Sequence, residues 1–403
     1  MNELTGFDLV CIAPVDWEPI WNRSQQVMWR LPGSVRILYL EPPATLLSAL
    51  KDPSLCFKWW RWAGGPRQIN QNIHLYSPPV ILPFGNVFPW INRINQWWLS
   101  FFVAGVARRL GFNRPVTWTY LPGSLPLIRR LNPGLIVYDC VDEHSQFTGL
   151  IKPGAVLSME RDLLAASDLV FATAPGLYQA KKPYARNIHL IPNAADVAHF
   201  GRAQLEETPV PADVAELPRP LLGFVGVIHH WIDLELIEYL ARRRPDWTVA
   251  MIGPVGAGVG VEGLKSLPNV HLLGRRDKGQ LPGYLKAFDV CLNTFKKNEL
   301  TDRVNPLKIY EYLAAGKPVV SVDMPGVAEF REAIEIAGDY EGFLGAVERT
   351  LAQESPEKKQ RRLQTAAENS WEKRVETMLD LIEKTIGSGP GVGNPESRIQ
   401  NPE

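Results

Sequence analysis

Short apolar runs of strand length recur along the chain, separated by stretches with helical periodicity. FDLVCIAP (7–14), RILYL (36–40), VTWTY (116–120), LIVY (135–138) and DLVFAT (168–173) form a first series. LLGFVGV (221–227), VAMIG (249–253), VHLLG (270–274), residues 289–294 and VVS (319–321) form a second. Runs that stay apolar without strict alternation, with helices between them, predict parallel strands covered on both faces. FDLVCIAP, the Trp-, Arg- and Gln-rich stretch after it and RILYL read as an opening βαβ unit. Between the two series, AQLEETPVPADVAELPR is rich in Pro and Glu and has little periodicity, which predicts a linker over 203–219. The expected organisation is α/β, with one domain over 1–202 and a second over 220–369. SWEKRVETMLDLIEKTI (370–386) is an amphipathic helix with Ser370 as its N-cap. The glycine- and proline-rich stretch 387–403 reads as a disordered tail.

The stretch richest in chemistry is NPLKIYEYLAAGKPVVS, residues 305–321. Asn305 has the chemistry of an N-cap and Pro306 that of a first helical residue. Leu307, Tyr310, Leu313 and Ala314 recur at helical spacing, Gly316 ends the helix, and Pro318 prevents its continuation. Lys308 and Glu311 lie three apart and share a face. Unpaired N–H groups at a helix start attract phosphate, and Lys308 adds a full positive charge to them. Glu311 is placed to accept hydrogen bonds from the hydroxyls of a ribose. An ordinary exposed Lys/Glu pair on a surface helix fits the same spacing.

The same residues resemble the nucleotide-sugar motif of glycosyltransferases with two facing Rossmann-like domains, the GT-B architecture. In the family 4 type of the glycosyl transferases group 1, Glu-x7-Glu is followed by Ala-x-x-x-Gly-x-Pro-Val-Val. Glu311 matches the second Glu, which binds the ribose in that family; the first falls at Arg303, a departure, with Glu299 nearby on the same loop. The variant is similar to a branch of teichuronic-acid and exopolysaccharide transferases. HLIPNAADVAHF (189–200) resembles the family's Pro-Asn-Gly-Val-Asp-x-x-x-Phe signature, with Ala194 for Gly and Asn193 at the Asn. The resemblance implies two Rossmann-like domains facing each other across a cleft. The first would hold an acceptor and the second a nucleotide-diphosphate sugar, and the 370–386 helix would cross back onto the first domain. Gly226 would let backbone approach the diphosphate, Arg275 would touch base or phosphate, and Thr301 would sit beside the sugar with Asp302 and Arg303. Asn305, Lys308 and Glu311 complete the donor set. Relatives carry an Arg/Lys pair after the glycine; here Val227 and HHWID stand there, leaving Lys308 as the main positive charge, with His229 or His230 as helpers.

On the first domain, LIVY runs into Asp139-Cys140-Val141-Asp142-Glu143-His144, beyond the carboxyl end of a strand, where ligands collect in parallel sheets. Asp142 and His144, in that order, are the candidates for taking a proton from an acceptor hydroxyl. Asp139 is expected to fix the loop. The loop after the first strand faces the cleft in related transferases, so Trp17, Arg23 and Gln25, with Trp21, are candidate acceptor contacts. The tryptophans fit equally a role in capping the sheet. Residues 51–110 cluster Trp and Phe with Arg and Lys, which suits either a membrane interface or a buried aromatic helix.

Composition narrows the partners. The 403 residues carry 43 Lys and Arg against 43 Asp and Glu, which gives no overall field for nucleic acid. Cys11, Cys56, Cys140 and Cys291 lack metal-ligand spacing and predict reduced thiols. The first eight residues lack a basic leader and no apolar run approaches the roughly 18 residues of a membrane span, so the expected location is the cytoplasm, at most touching a membrane. No Asp-x-Asp pair is placed to hold Mg²⁺, which predicts a metal-independent transfer with the nucleotide sugar as co-substrate and no further cofactor. The alternatives are a nucleotide-sugar epimerase of the same architecture and a catalytically silent nucleotide-binding subunit.

Overall fold

The computed structural model describes residues 6–18, 21–48, 58–147 and 149–388. Cys56 and most of the tail assigned to 387–403 lie outside these residues. Two sheets are present. The first is built from β1 (Asp8–Ile12), β2 (Arg36–Leu40), β3 (Arg67–Gln68), β4 (Ile73–Tyr76), β5 (Val116–Thr119), β6 (Leu135–Cys140), β7 (Leu169–Ala172) and β8 (Ile188–Leu190). Its order is β3-β4-β2-β1-β5-β6-β7-β8, parallel except for β3 against β4. The second comprises β9 (Leu221–Val225), β10 (Thr248–Ile252), β11 (Val270–Gly274), β12 (Val290–Asn293), β13 (Val319–Val322) and β14 (Glu335–Ala337). Its order is β11-β10-β9-β12-β13-β14, and its strands are parallel. The chain thus has two parallel α/β units.

Four strands go beyond the runs read from the sequence. β3, β4, β8 and β14 have two to four residues and sit toward or at sheet edges. Edge strands need fewer apolar positions, so their sequences carry a weak signal.

Each sheet is covered on both faces. One face of the first sheet buries Tyr39, Trp118 and Phe171, and the other Leu38, Tyr138 and Leu163. Helix Trp371–Ser388 packs Trp371, Val375, Met378 and Ile382 against the first of these faces, beside Val27 and Met28 of helix Arg23–Arg30. This helix, which follows the second sheet in the chain, is thereby part of the core of the amino-terminal half.

A buried charge cluster ties this half together. Lys181 donates to both oxygens of Glu143 (3.0 and 2.9 Å) and to Glu160 (2.8 Å), and all three side chains are almost fully buried. Tyr138 donates a further hydrogen bond to Glu160 (2.8 Å). Burial works to raise the Glu143 carboxyl, but the bonds from Lys181 hold it below its ordinary value. Lys181→Met removes the bridging cation from two buried carboxylates and is expected to destabilise the protein by about 3–5 kcal/mol. Urea unfolding at neutral pH checks this; a loss below about 1 kcal/mol would show the carboxylates are solvated or paired otherwise.

Candidate active site

In the second sheet the strand order reverses between β9 and β12, so a crevice is expected beyond their carboxyl ends. A cavity of about 450 Å³ lies there, walled by both halves of the chain. Its floor is a glycine turn. Gly226 follows β9 with φ +146° and Gly253 follows β10 with φ +145°, conformations that favour glycine. A Cβ on Gly253 would meet the Gly226 carbonyl oxygen at 1.9 Å, so the two turns touch backbone to backbone. This close approach brings main-chain groups to the cavity without side chains in the way.

Helix Leu307–Ala314 points its start at the same space, with Pro306, Leu307, Lys308 and Glu311 on the wall. The Lys308 ammonium lies over the rings of Phe224 and Phe295, 4.8 and 4.3 Å from their centroids. It is also close to Gly226, whose added Cβ would sit 3.4 Å from Lys308 Cε. Burial lowers Lys308 to about 8 against the pull of Glu311. Burial also raises Glu311 to about 7, opposed by Lys278 and Lys308. Two desolvated groups of opposite charge on one wall hold electrostatic energy that a charged, hydroxyl-rich ligand can use.

Of the expected donor residues, Gly226, Arg275, Lys308 and Glu311 are gathered here, Arg275 as an exposed side chain on the rim. Two others border the cavity but are occupied. The Thr301 hydroxyl donates to Lys296 O (2.5 Å) and accepts from Asn298 N (3.0 Å), so it shapes its own loop. Asn305 corrects the reading twice. The residue capping the helix is Pro306, and Asn305 accepts from Asn193 N (2.8 Å) and Nδ2 (2.9 Å) while donating to Tyr310 (3.1 Å). It therefore joins the two halves and has no side-chain donor left for a nucleotide. Neither His229 nor His230 lines the cavity; His229 stacks on Trp231, which does. Arg303 turns away to Glu143 of the first domain (2.7 Å). Lys278, not anticipated, lines the cavity, pairs with Asp196 (3.0 Å) and lies over Trp21 (4.8 Å).

The three acceptor candidates are corrected. Trp17 is buried between Trp21, Trp29 and Tyr39. Arg23 is buried in an ion pair with Asp139 (2.9 Å) and donates to Pro192 O (3.0 Å). Gln25 completes the capping box of its helix with Asn22 and donates to Asp16 O (2.8 Å). The loop after β1 thus turns these side chains inward: Gln25 is held by partners within nine residues, whereas Arg23 is held by Asp139, 116 residues away.

The acidic turn divides its labour. Asp139 is engaged with Arg23 and Glu143 with Lys181, whereas Asp142 lines the cavity that Lys308 and Glu311 also line. Burial raises the Asp142 carboxyl, opposed by His144, and lowers the His144 imidazole, opposed by Asp142. His144 Nε2 is buried without a hydrogen-bond partner. His144 faces a second cavity of about 490 Å³ within the first domain, and Phe147 lines both cavities. Asp142 and His144 thus stand where the two spaces meet. Among the described residues, no group of three His, Cys, Asp or Glu side chains is assembled to hold a metal ion.

Comparison with known proteins identifies the class. Residues 219–353 match the family model for Glycosyl transferases group 1. The protein is a glycosyltransferase of the GT-B fold. Among relatives, it is 27% identical over 273 residues to the Bacillus subtilis (strain 168) protein named "Putative teichuronic acid biosynthesis glycosyltransferase TuaH", spanning 63% of this chain and 68% of that one. Similar solved structures include a sucrose-phosphate synthase from Thermosynechococcus elongatus, with a TM-score of 0.67 at 16% identity over 96% of this chain and 100% of that one. An E. coli trehalose-6-phosphate structure bound with UDP-2-fluoro glucose has a TM-score of 0.67 at 12% identity, over 94% and 99%. Anabaena HepE in complex with UDP and glucose has 0.61 at 17%, over 94% and 99%.

Proposed function

We propose that the chain moves a sugar from a nucleoside-diphosphate sugar, held in the cleft by the second domain, to a hydroxyl of a glycan or lipid-linked acceptor held by the first. The setting is the synthesis of a cell-surface polysaccharide. The observation that carries this reading is one cavity lined by a glycine cradle, Lys308 and Glu311 of the second domain and by Asp142 of the first. The diphosphate would lie against Gly226, the helix start and Lys308, an arrangement that stabilises charge developing on the leaving group. Glu311 would accept from the ribose hydroxyls and Arg275 would face the base. As the acceptor oxygen bonds to the anomeric carbon, the bond from that carbon to the diphosphate oxygen breaks. The acceptor proton passes to Asp142, aided by His144. No metal is required in this scheme, because Lys308 and backbone donors meet the diphosphate charge. Buried free thiols at Cys11, Cys140 and Cys291 suit a reducing compartment such as the cytoplasm.

Calorimetric titration with UDP, GDP, ADP and dTDP, in EDTA and then with Mg²⁺, tests the donor half. Binding of one nucleoside diphosphate with equal affinity in both buffers is expected. No binding of any of the four, or binding only with Mg²⁺, counts against the scheme. Product formed without an acceptor would point to epimerisation instead.

A further inference from the structure

Helix Pro89–Arg109 has two apolar faces. The inner one, with Leu99 and Val103, walls the first-domain cavity. On the outer one Trp90, Ile94, Trp97, Trp98 and Phe101 are each between 41% and 60% exposed. Their spacing puts them on one broad stripe, too large and too aromatic for a surface that meets only water. A helix whose aromatics filled the core would have hidden these rings.

The charge around the stripe says what meets it. Between Pro53 and Tyr138 the chain has nine Lys and Arg and not one Asp or Glu, although its overall charge is balanced. Arg93, Arg108 and Arg109 are exposed on the helix itself. Tryptophans beside arginines on a helix lying flat suit the headgroup layer of an anionic bilayer. The helix runs about 30 Å along such a surface. No helix among the described residues is long and apolar enough to cross a membrane. The stripe also continues inward. Leu82 and Phe84, exposed just before the helix, also line the cavity, whose far end reaches Phe147 and His144.

We propose that this helix seats the protein on an anionic membrane surface, and that the cavity behind it receives the hydrocarbon part of a lipid-linked acceptor. The second half rests on the transfer reading above; the first does not. A chain entering past Leu82 and Phe84 would bring its polar head toward Asp142, where the donor sugar waits.

The full chain is sedimented with vesicles of phosphatidylcholine, alone or with about one third phosphatidylglycerol. Partition onto the anionic vesicles is expected to be at least about tenfold stronger and to weaken with salt. Trp97→Ser with Phe101→Ser, and separately Arg93→Gln with Arg108→Gln, should each lower it about tenfold. Nucleotide titration, unchanged in both variants, shows that they fold. Equal partition of variants and wild type, or no partition, overturns the proposal, as does a lipid-free dimer that the same substitutions dissolve. For the cavity, decyl phosphate below its aggregation concentration should bind saturably, and Met159→Trp should weaken it about tenfold. Absence of saturable binding removes the cavity from the proposal. Vesicle binding without nucleotide binding would sink the donor reading and leave the docking surface standing.

Discussion

Asp142→Asn is expected to lower kcat for sugar transfer by about 10²–10⁴-fold while leaving nucleotide affinity nearly unchanged. The expectation rests on elimination within one turn. One carboxylate near the end of β6 and two just after it are in question, and two of the three are engaged: Asp139 with Arg23, and Glu143 with Lys181 and Arg303. Asp142 alone of the three faces the cleft cavity, partly buried, with its proton affinity raised by burial and restrained by His144. A carboxylate raised above its ordinary range is a better proton acceptor near neutral pH than an exposed one. Asparagine keeps the shape and removes the basicity, so the donor site should be undisturbed. The acid limb of the rate profile should lie above the usual carboxylate range and disappear in the variant. His144→Ala should cost less, because the imidazole lines the neighbouring cavity and influences Asp142 only through its charge. If Asp142→Asn keeps the wild-type rate, the proton leaves by another route and the role passes to His144 or to the departing diphosphate.

The cavity wall bearing Lys308 and Glu311 was legible in the sequence because its determinants are local. Pro306, the helical spacing of Leu307, Tyr310 and Leu313, and Gly316 at φ +68° lie within one short segment, and they place Lys308 and Glu311 on one side. The run of second-domain strands was legible for the same reason. The acceptor side was not. Arg23 finds Asp139 at a separation of 116 residues, and Arg303 finds Glu143 at 160, and nothing near either residue signals its partner. Such pairs turn apparent ligand contacts into internal ties. Asn305 shows the limit sharply: its local chemistry fits an N-cap, yet the fold uses it to bind Asn193 across the domains. Lys278 lies only three residues beyond Arg275. Asp196, 82 residues away, and the ring of Trp21 hold its side chain at the cavity.

Glu311→Ala is expected to weaken nucleoside-diphosphate binding by about 10–100-fold, the loss of hydrogen bonds to one charged acceptor. Its pH dependence should be distinctive. With the Glu311 carboxyl raised to about 7 by burial, the free protein below that pH is largely protonated there and accepts poorly from two hydroxyls. Affinity should therefore rise as pH passes through about 7. Above about 8 the Lys308 ammonium, lowered by burial, loses its charge and with it the attraction for phosphate. A bell between these limits follows, and Glu311→Gln should erase its acid side. The same shift sets the sign for stability. A carboxyl that binds its proton more tightly folded than unfolded weakens the fold as pH climbs from its ordinary value of 4.5 to about 7. Glu311→Gln should thus raise the thermal midpoint of the ligand-free protein at pH 8 and abolish most of the further rise that nucleotide produces. Wild-type affinity that stays flat across this range, or a variant that is less stable yet binds normally, would place the ribose elsewhere and make Glu311 a structural partner of Lys308 and Lys278.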